Sequence, residues 1–398
     1  MKVLMINVVC GIRSTGRICT DLATILEEQG HEVKIAYGRE FVPEQFQKYA
    51  IRIGTDLDVK LHAIKARLFD GAGFGSKRAT LDFIAWVEQY NPDIIHLHNL
   101  HGYYVNVEIL FEYLRNKRKK VIWTMHDCWG YTGHCTHYSF YGCEKWKYIC
   151  RGKCNKYSYP KTIGISNCKK NYLRKKSAFS NIDMRLVVPS QWLKDEIEQS
   201  FLGDYEINII NNGIDLNIFR PTESELRSKY NIKNKIILLA VSNGWVENKG
   251  FNDLLSLSKM IDEKYVIVVI GINQKQKNML GDNMIGLSTT NNIRELVEWY
   301  SVADYYINPS KEETMGMTTL EALACGTPAI TYNLTAIPEV LSNGCGEAVC
   351  PYPEEIRSVL YSNRFEIEKC LDRAAEYDKN IKYSEYIEIY DKIFTEIR

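Results

Sequence analysis

The chain of 398 residues is too long for one comfortable hydrophobic core and implies two domains of ordinary size. Its 45% hydrophobic and 25% charged residues, with only 10 prolines, describe a packed globular protein without a long disordered tail. A formal net charge of +1 argues against bulk nucleic-acid binding, and no apolar run reaches the roughly 18 residues of a membrane span, so a soluble cytoplasmic protein is expected.

Residues 1–9 have some look of an export signal ending at Cys10, but the run is short, contains Asn7 and lacks a small residue before the cysteine. The stretch reads better as a buried first strand, continuous in its apolarity as a parallel strand covered on both faces must be. The chain then runs through Gly11-Ile12-Arg13-Ser14-Thr15-Gly16, after which Ile18, Leu22, Ile25 and Leu26 recur at helical spacing. A glycine loop in this place either meets a phosphate or only closes the first turn of an open α/β domain.

Strands are expected at 32–37, 93–98 and 121–125, with helical patterns at 81–90 and 105–114, which predicts a doubly wound α/β domain. Ligands in such sheets bind beyond the carboxyl ends of the strands, and two of these ends carry imidazoles: His96-x-His98-x-x-His101, and His126 beside Asp127. Either group suits a ligand or a hydrogen bond to nearby backbone. A metal on the first three is not expected, because His96 and His98 point the same way from a strand while His101 lies in a loop. Two basic clusters, 115–120 and 169–176, fit an anionic membrane surface or a solvated helix face.

Twelve cysteines without an export signal imply reduced thiols. Cys128, Cys135, Cys143, Cys150 and Cys154 fall close together, and Cys135, Cys143, Cys150 and Cys154 form a candidate structural zinc set, with buried thiols as the alternative because the spacings are irregular. Such a zinc would stiffen the loop beside His126. It would not act on substrate, because no open, carboxylate-supported site accompanies it.

Asn211-Asn212-Gly213-Ile214-Asp215 asks for a tight turn with positive φ and marks a domain junction. The expected domains are 1–205 and 206–382, with a last helical pattern from Tyr383. Strands recur at 236–241, 266–270, 284–287, 305–307 and 329–332. After the first of these, Lys249-Gly250 begins a helix. A lysine so placed can neutralise a leaving diphosphate; alone it would be an ordinary surface lysine.

From Asp304 to Pro328 the chain reads as strand, loop and helix N-terminus, with Gly316 allowing a close turn before a helix near Thr318. The first amides of such a helix lack internal partners and carry the positive end of its dipole, so a phosphate is favoured at Gly316, Met317 and Thr318. Glu313 precedes the helix and Glu321 lies about one turn inside it, paired acceptors for sugar hydroxyls or plain surface charges.

In this order and spacing Pro-Ser-x-x-Glu, Gly-Met and Glu-Ala-x-Ala-Cys-Gly-x-Pro resemble the donor-site signature of retaining GT-B glycosyltransferases, specifically family 4; Asn-Gly-Ile-Asp with the following Phe and Pro resembles the linker of that family. The resemblance implies an α/β GT-B fold, two facing Rossmann-like domains with a cleft between them, and a last helix that returns to the first domain. It places Glu313 on the donor sugar and Glu321 on the ribose. Gly16 would lie against the donor pyrophosphate or the acceptor, and His126 with Asp127 against the C6 group of the transferred sugar. Leu287, Ser288 and Thr289 would hold the base through backbone atoms. Many relatives pair the lysine with an arginine shortly before it; none occurs between Ala240 and Asn248, so the clamp is incomplete or borrows a charge such as Arg13.

The expected activity is retaining transfer of a hexose from a nucleotide-diphosphate sugar to a glycan or lipid-linked acceptor, in cell-surface polysaccharide synthesis, with no metal at the chemistry and with peripheral contact to a membrane. A sugar-nucleotide epimerase is the alternative within enzymes. A non-catalytic nucleotide-sugar binding protein is favoured if Lys249 or Glu313 points away from the site.

Overall fold

A computed structural model describes residues 1–152, 154, 158–288, 292–362 and 365–395. The chain divides into two units, Met1–Asn211 together with the segment from Lys382, and Asn212–Ile381.

The first unit is a sheet of seven parallel strands: β1 (Lys2–Asn7), β2 (Glu32–Tyr37), β3 (Ala50–Arg52), β4 (Ile94–Leu97), β5 (Lys120–Thr124), β6 (Met184–Val188) and β7 (Ile207–Ile209), in the order β3-β2-β1-β4-β5-β6-β7. Helices α1 (Arg13–Glu28), α2 (Asp56–Phe69), α3 (Lys77–Tyr90), α4 (Val107–Asn116), α5 (Cys168–Phe179) and α6 (Gln191–Glu198) connect them. The apolar run at the amino terminus is a central strand for the expected reason. Leu4 and Ile6 enter the core on one face, Val3 and Met5 the core on the other, and all four are fully buried.

The second unit repeats the plan with β8 (Ile236–Val241), β9 (Tyr265–Ile270), β10 (Met284–Leu287), β11 (Tyr305–Asn308), β12 (Ala329–Tyr332) and β13 (Gly346–Val349), all parallel, in the order β10-β9-β8-β11-β12-β13. Its helices are α7 (Leu226–Lys229), α8 (Phe251–Ser258), α9 (Gln274–Lys277), α10 (Ile293–Val302), α11 (Met317–Ala324), α12 (Pro353–Ser362) and α13 (Ile367–Ala375). A last helix, α14 (Lys379–Thr395), sends Tyr383, Tyr386 and Tyr390 into the core of the first unit.

Two details differ from the sequence reading. The junction falls at Asn211, not before residue 206, because β7 pairs in parallel register with β6 and so belongs to the first sheet. Gly213 is not a positive-φ residue. Its hydrogen instead admits the chain at Lys379, whose Cα would lie 2.4 Å from a Cβ at this position. The approach is sealed by Ile214 N–H donating to Tyr377 O at 2.8 Å, Lys379 N–H donating to Ile214 O at 2.9 Å, and an ion pair of Lys379 with Asp215 at 2.7 Å.

Candidate active site

In the second unit β11 ends at Asn308, a buried residue whose amide ties the strand end to the next helix. Its Nδ2 donates to Thr319 Oγ1 at 3.0 Å and its Oδ1 accepts from Ser310 N at 3.1 Å. Helix α11 starts at Met317, one residue earlier than expected, with Gly316 as N-cap and no side chain capping it. The N–H groups of its first turn therefore have no partner within the helix. The Met317 amide, however, turns back to Met315 O at 3.0 Å, which removes it from the expected phosphate cradle of Gly316, Met317 and Thr318. Gly316 has φ −81°, so no left-handed backbone calls for glycine there, and a Cβ would stand a tight 3.3 Å from Val340 Cγ2.

Lys249 closes a short 3-10 turn, and Gly250 after it has φ +75° and packs so closely on Pro309 that a Cβ would lie 2.2 Å from the proline carbonyl. Lys311 N–H donating to Asn248 O at 2.8 Å and Lys311 Nζ pairing with Asp253 at 3.0 Å bind the same two loops together. The result is that Lys249 Nζ donates to Glu313 Oε1 at 2.9 Å, with the two side chains 29% and 13% exposed. Neither is a free surface charge. Glu321, one turn into α11, accepts a hydrogen bond at 2.8 Å from Tyr300, a fully buried phenol whose pKa burial and the adjacent carboxylate push well above its ordinary value. Tyr306 also lies fully buried close to both glutamates, its hydroxyl donating to Val241 O at 3.4 Å. Lys249, Glu313, Gly316, Thr318 and Glu321 are thus gathered at the carboxyl edge of one sheet. Leu287 and Ser288 stand on the same edge at the end of β10, three strands from β11, or about 14 Å at ordinary strand spacing. Thr289 lies outside the described residues.

In the first unit, Gly16 is not in a loop. Helix α1 begins at Arg13, and Gly16 sits in its first turn with its carbonyl accepting from Gly11 N at 3.1 Å. A Cβ there would meet Val9 at 3.0 Å, so this glycine serves helix-to-strand packing. Arg13, named as a charge the clamp could borrow, is paired with Glu40 at 2.7 Å.

The imidazoles beyond β4 and β5 do assemble, but through side chains and not through backbone. His126 Nε2 and His98 Nδ1 share a hydrogen bond at 3.0 Å with their rings stacked. His96 bonds to Tyr390 at 2.6 Å and Thr124 at 2.7 Å, and Thr124 also meets Tyr386 at 3.1 Å, so the last helix holds this network from beneath. Burial pushes the pKa of His126 down to about 4 and that of His96 to about 3, and both are neutral at pH 7. Asp127 accepts from His101 Nε2 at 2.6 Å and from Trp129 N at 2.8 Å. Burial opposes its ionisation, but His101 and these hydrogen bonds outweigh it and hold the carboxyl below its usual range. Asp127 therefore orients its own loop, with its side chain 13% exposed.

Sequence reasoning passed over Tyr300, Asn308 and Asn7. Asn7 is fully buried, with Nδ2 bonded to Val9 O at 2.8 Å and Oδ1 accepting from Asn99 N at 3.3 Å. The available signal was a polar residue ending an otherwise apolar strand, as at Asn308 too.

The cysteines of the expected zinc set lie near one another in the loop after β5. Among the described residues no three His, Cys, Asp or Glu side chains are disposed to hold a metal ion. Cys135, Cys143 and Cys154 line a cavity of about 250 Å³, while Cys150 Sγ accepts from Gly133 N at 3.2 Å and Cys154 shares a hydrogen bond with Cys168. Burial raises the thiols of Cys135 to about 12 and Cys150 to about 11, so they stay protonated.

Two Rossmann-like parallel sheets, one carrying a lysine and two glutamates around a helix N-terminus, define the GT-B class of glycosyltransferases. The family model Glycosyltransferase Family 4 matches residues 15–218 and Glycosyl transferases group 1 matches residues 222–383; the chain belongs to glycosyltransferase family 4. It is 24% identical to the putative colanic acid biosynthesis glycosyl transferase WcaC of Escherichia coli (strain K12), over 99% of this chain and 100% of that protein. Its fold is similar to that of sucrose-phosphate synthase from Thermosynechococcus elongatus, with TM-score 0.72, 15% identity and 99% of each chain covered. It is also similar to Anabaena HepE in complex with UDP-glucose, with TM-score 0.68, 13% identity and 98% and 100% covered. Among the described residues no helix is long and apolar enough to cross a membrane.

Proposed function

We propose that this glycosyltransferase moves a hexose from a nucleoside-diphosphate sugar, with retention, onto a glycan or lipid-linked acceptor in cell-surface polysaccharide synthesis, working at a membrane surface. The observation that carries this reading is the Lys249–Glu313 pair at 2.9 Å, beside the uncapped start of α11 and one turn from Glu321. A cation and helix amides at one point suit a diphosphate, and two carboxylates flanking them suit the hydroxyls of the two sugars attached to it. The similar proteins, a putative colanic acid biosynthesis glycosyl transferase and a UDP-glucose complex, support the pathway class and the donor class.

No side chain here is an evident nucleophile for the anomeric carbon. The leaving phosphate itself takes the proton of the acceptor hydroxyl as the new glycosidic bond forms on the face the diphosphate leaves. Lys249 and the α11 amides stabilise the charge that develops on the departing oxygen. The Lys249–Glu313 pair holds the ammonium in place before donor arrives. The test is to incubate pure protein with a panel of nucleotide sugars and measure released nucleotide with and without a glycan or lipid-diphosphate acceptor. Acceptor-dependent release from one donor, with the anomeric configuration kept, is expected; release from none of them would overturn the reading.

A further inference from the structure

Helix α2 turns its largest aliphatic side chains outward. Its inward face carries His62 and Ala66, both buried, with Val59 and Ala63 packed beside them. Its outward face carries Leu57, Leu61, Ile64 and Leu68, which are 64%, 57%, 54% and 41% exposed. Positions 57, 61, 64 and 68 fall on one stripe at 3.6 residues per turn. The orientation is not free to rotate. Thr55 and Asp58 form a capping box at the start, the His62 ring bonds to Ser76 at 2.9 Å, Thr162 donates to Ala66 O at 3.0 Å, and Asp70 at the far end accepts from His134 at 2.6 Å.

The stripe continues beyond the helix. Ile163 N–H donates to Arg67 O and Ile165 N–H to Leu68 O, both at 2.9 Å, laying two more exposed isoleucines against the end of α2 beside exposed Phe69. Seven large apolar side chains so joined exceed the scattered singles normal on a soluble surface.

Beyond the first turn of α2 the charges beside them have one sign. From Val59 to Phe69 the only charged residues are Lys60, Lys65 and Arg67. Helical geometry puts Lys60 and Arg67 along one side of the stripe and Lys65, which also donates to Phe74 O, along the other. Exposed Lys161 follows, and Asn167 donating to Phe69 O at 2.8 Å brings the exposed pair Lys169 and Lys170 to the same end. The helix's two acids lie in its first turn and are engaged, Asp56 by Arg52 and Asp58 by Thr55. By contrast, four of the basic residues first noted at 115–120 already have partners: Arg115 on Ala178 O and Ser180 O, and at the surface Lys117 on Glu88, Lys119 on Asn91 and Lys120 on Asp183.

We propose that the outer face of α2, with Phe69, Ile163 and Ile165, docks on an anionic lipid bilayer, its aliphatic side chains entering the interface while Lys60, Lys65 and Arg67 meet the headgroups. Long cationic side chains flanking an apolar stripe are the arrangement that lies in the plane of an interface. A second copy of this chain suits the face less well, because a two-fold contact would set these cations against themselves. The inference deepens the lipid-linked acceptor proposed above by naming the surface that meets its membrane. Vesicle binding needs neither donor nor acceptor, so its failure leaves the transfer reading standing, and a failure of transfer leaves this one standing.

The experiment is flotation of the full chain with vesicles of equal phosphatidylglycerol and phosphatidylcholine, beside vesicles of phosphatidylcholine alone. The wild type should partition onto the anionic vesicles at least about ten-fold better than onto the neutral ones. The double variant Leu61→Ser, Ile64→Ser and the charge variant Lys60→Gln, Arg67→Gln should each lose about ten-fold of that binding while melting like the wild type, since the altered side chains face solvent. Absence of flotation, or flotation unchanged in both variants, would overturn the proposal. A stable dimer in sedimentation that the double variant dissociates would overturn it in favour of a second copy.

Discussion

Lys249 and Glu313 form an ion pair at 2.9 Å, so in the proposed reading the carboxylate assigned to the donor sugar also sets the ammonium assigned to the diphosphate. Lys249→Ala should keep the fold and lose about 2 to 4 kcal/mol of transition-state stabilisation, read as kcat/KM, because the removed charge matters most when the phosphate departs. A wild-type rate would remove Lys249 from the chemistry. Glu313→Gln should bind nucleoside diphosphate at least as well as the wild type, since Lys249 loses a competing anion, while transfer falls and donor discrimination loosens. Glu321 should behave otherwise: its removal weakens nucleotide and nucleotide sugar alike, and Tyr300→Phe should do the same by about 1 kcal/mol through the lost 2.8 Å hydrogen bond. Calorimetric titration with nucleotide alone separates the two glutamates, and equal loss in both variants would refute the division of roles.

At the scale of elements, the site depends on two loops that share no helix or strand. The turn at Gly250 brings the β8 loop against Pro309 after β11, combining a left-handed backbone with a contact no side chain can enter. Gly250→Ala should cost at least about 1 kcal/mol in a urea melt and should also lower transfer, because Lys249 moves with its turn. Gly30→Ala is the matched control, with φ +79° and nothing within 4 Å of the added carbon: it carries the backbone strain without the clash. Equal costs for the two would mean that the Pro309 contact contributes nothing. In the first unit β4 and β5 act together in the same way, bringing His98 under His126 from 28 residues away.

Across the whole molecule, neutral buried histidines make stability depend on acid. Burial lowers His62 and His126 to about 4 and His96 to about 3, from the ordinary 6.5 of the unfolded chain. Below pH 6.5 the unfolded chain binds protons that the folded chain refuses. Stability is therefore intact above that value and falls as pH drops towards 4, by up to about 1.4 kcal/mol per pH unit for each histidine. Urea midpoints at pH 7 and pH 5 should show the loss; equal midpoints would mean these rings already carry protons or stay in contact with water.

The residue pattern alone determined the two α/β domains and the donor signature from Lys249 to Glu321, because continuous apolar strands, helical periodicity and a loop opening a helix are all local in the chain. What each polar group bonds to was decided only by tertiary structure. No local pattern showed that His101 bonds to Asp127, that α1 starts before Gly16, or that Cys135, Cys143 and Cys154 line one cavity. The outward face of α2 was hidden in the same way: a leucine every turn signals a helix but not which side the rest of the chain covers, and here His62 and Ala66 face inward, beside Ala72 and Tyr103.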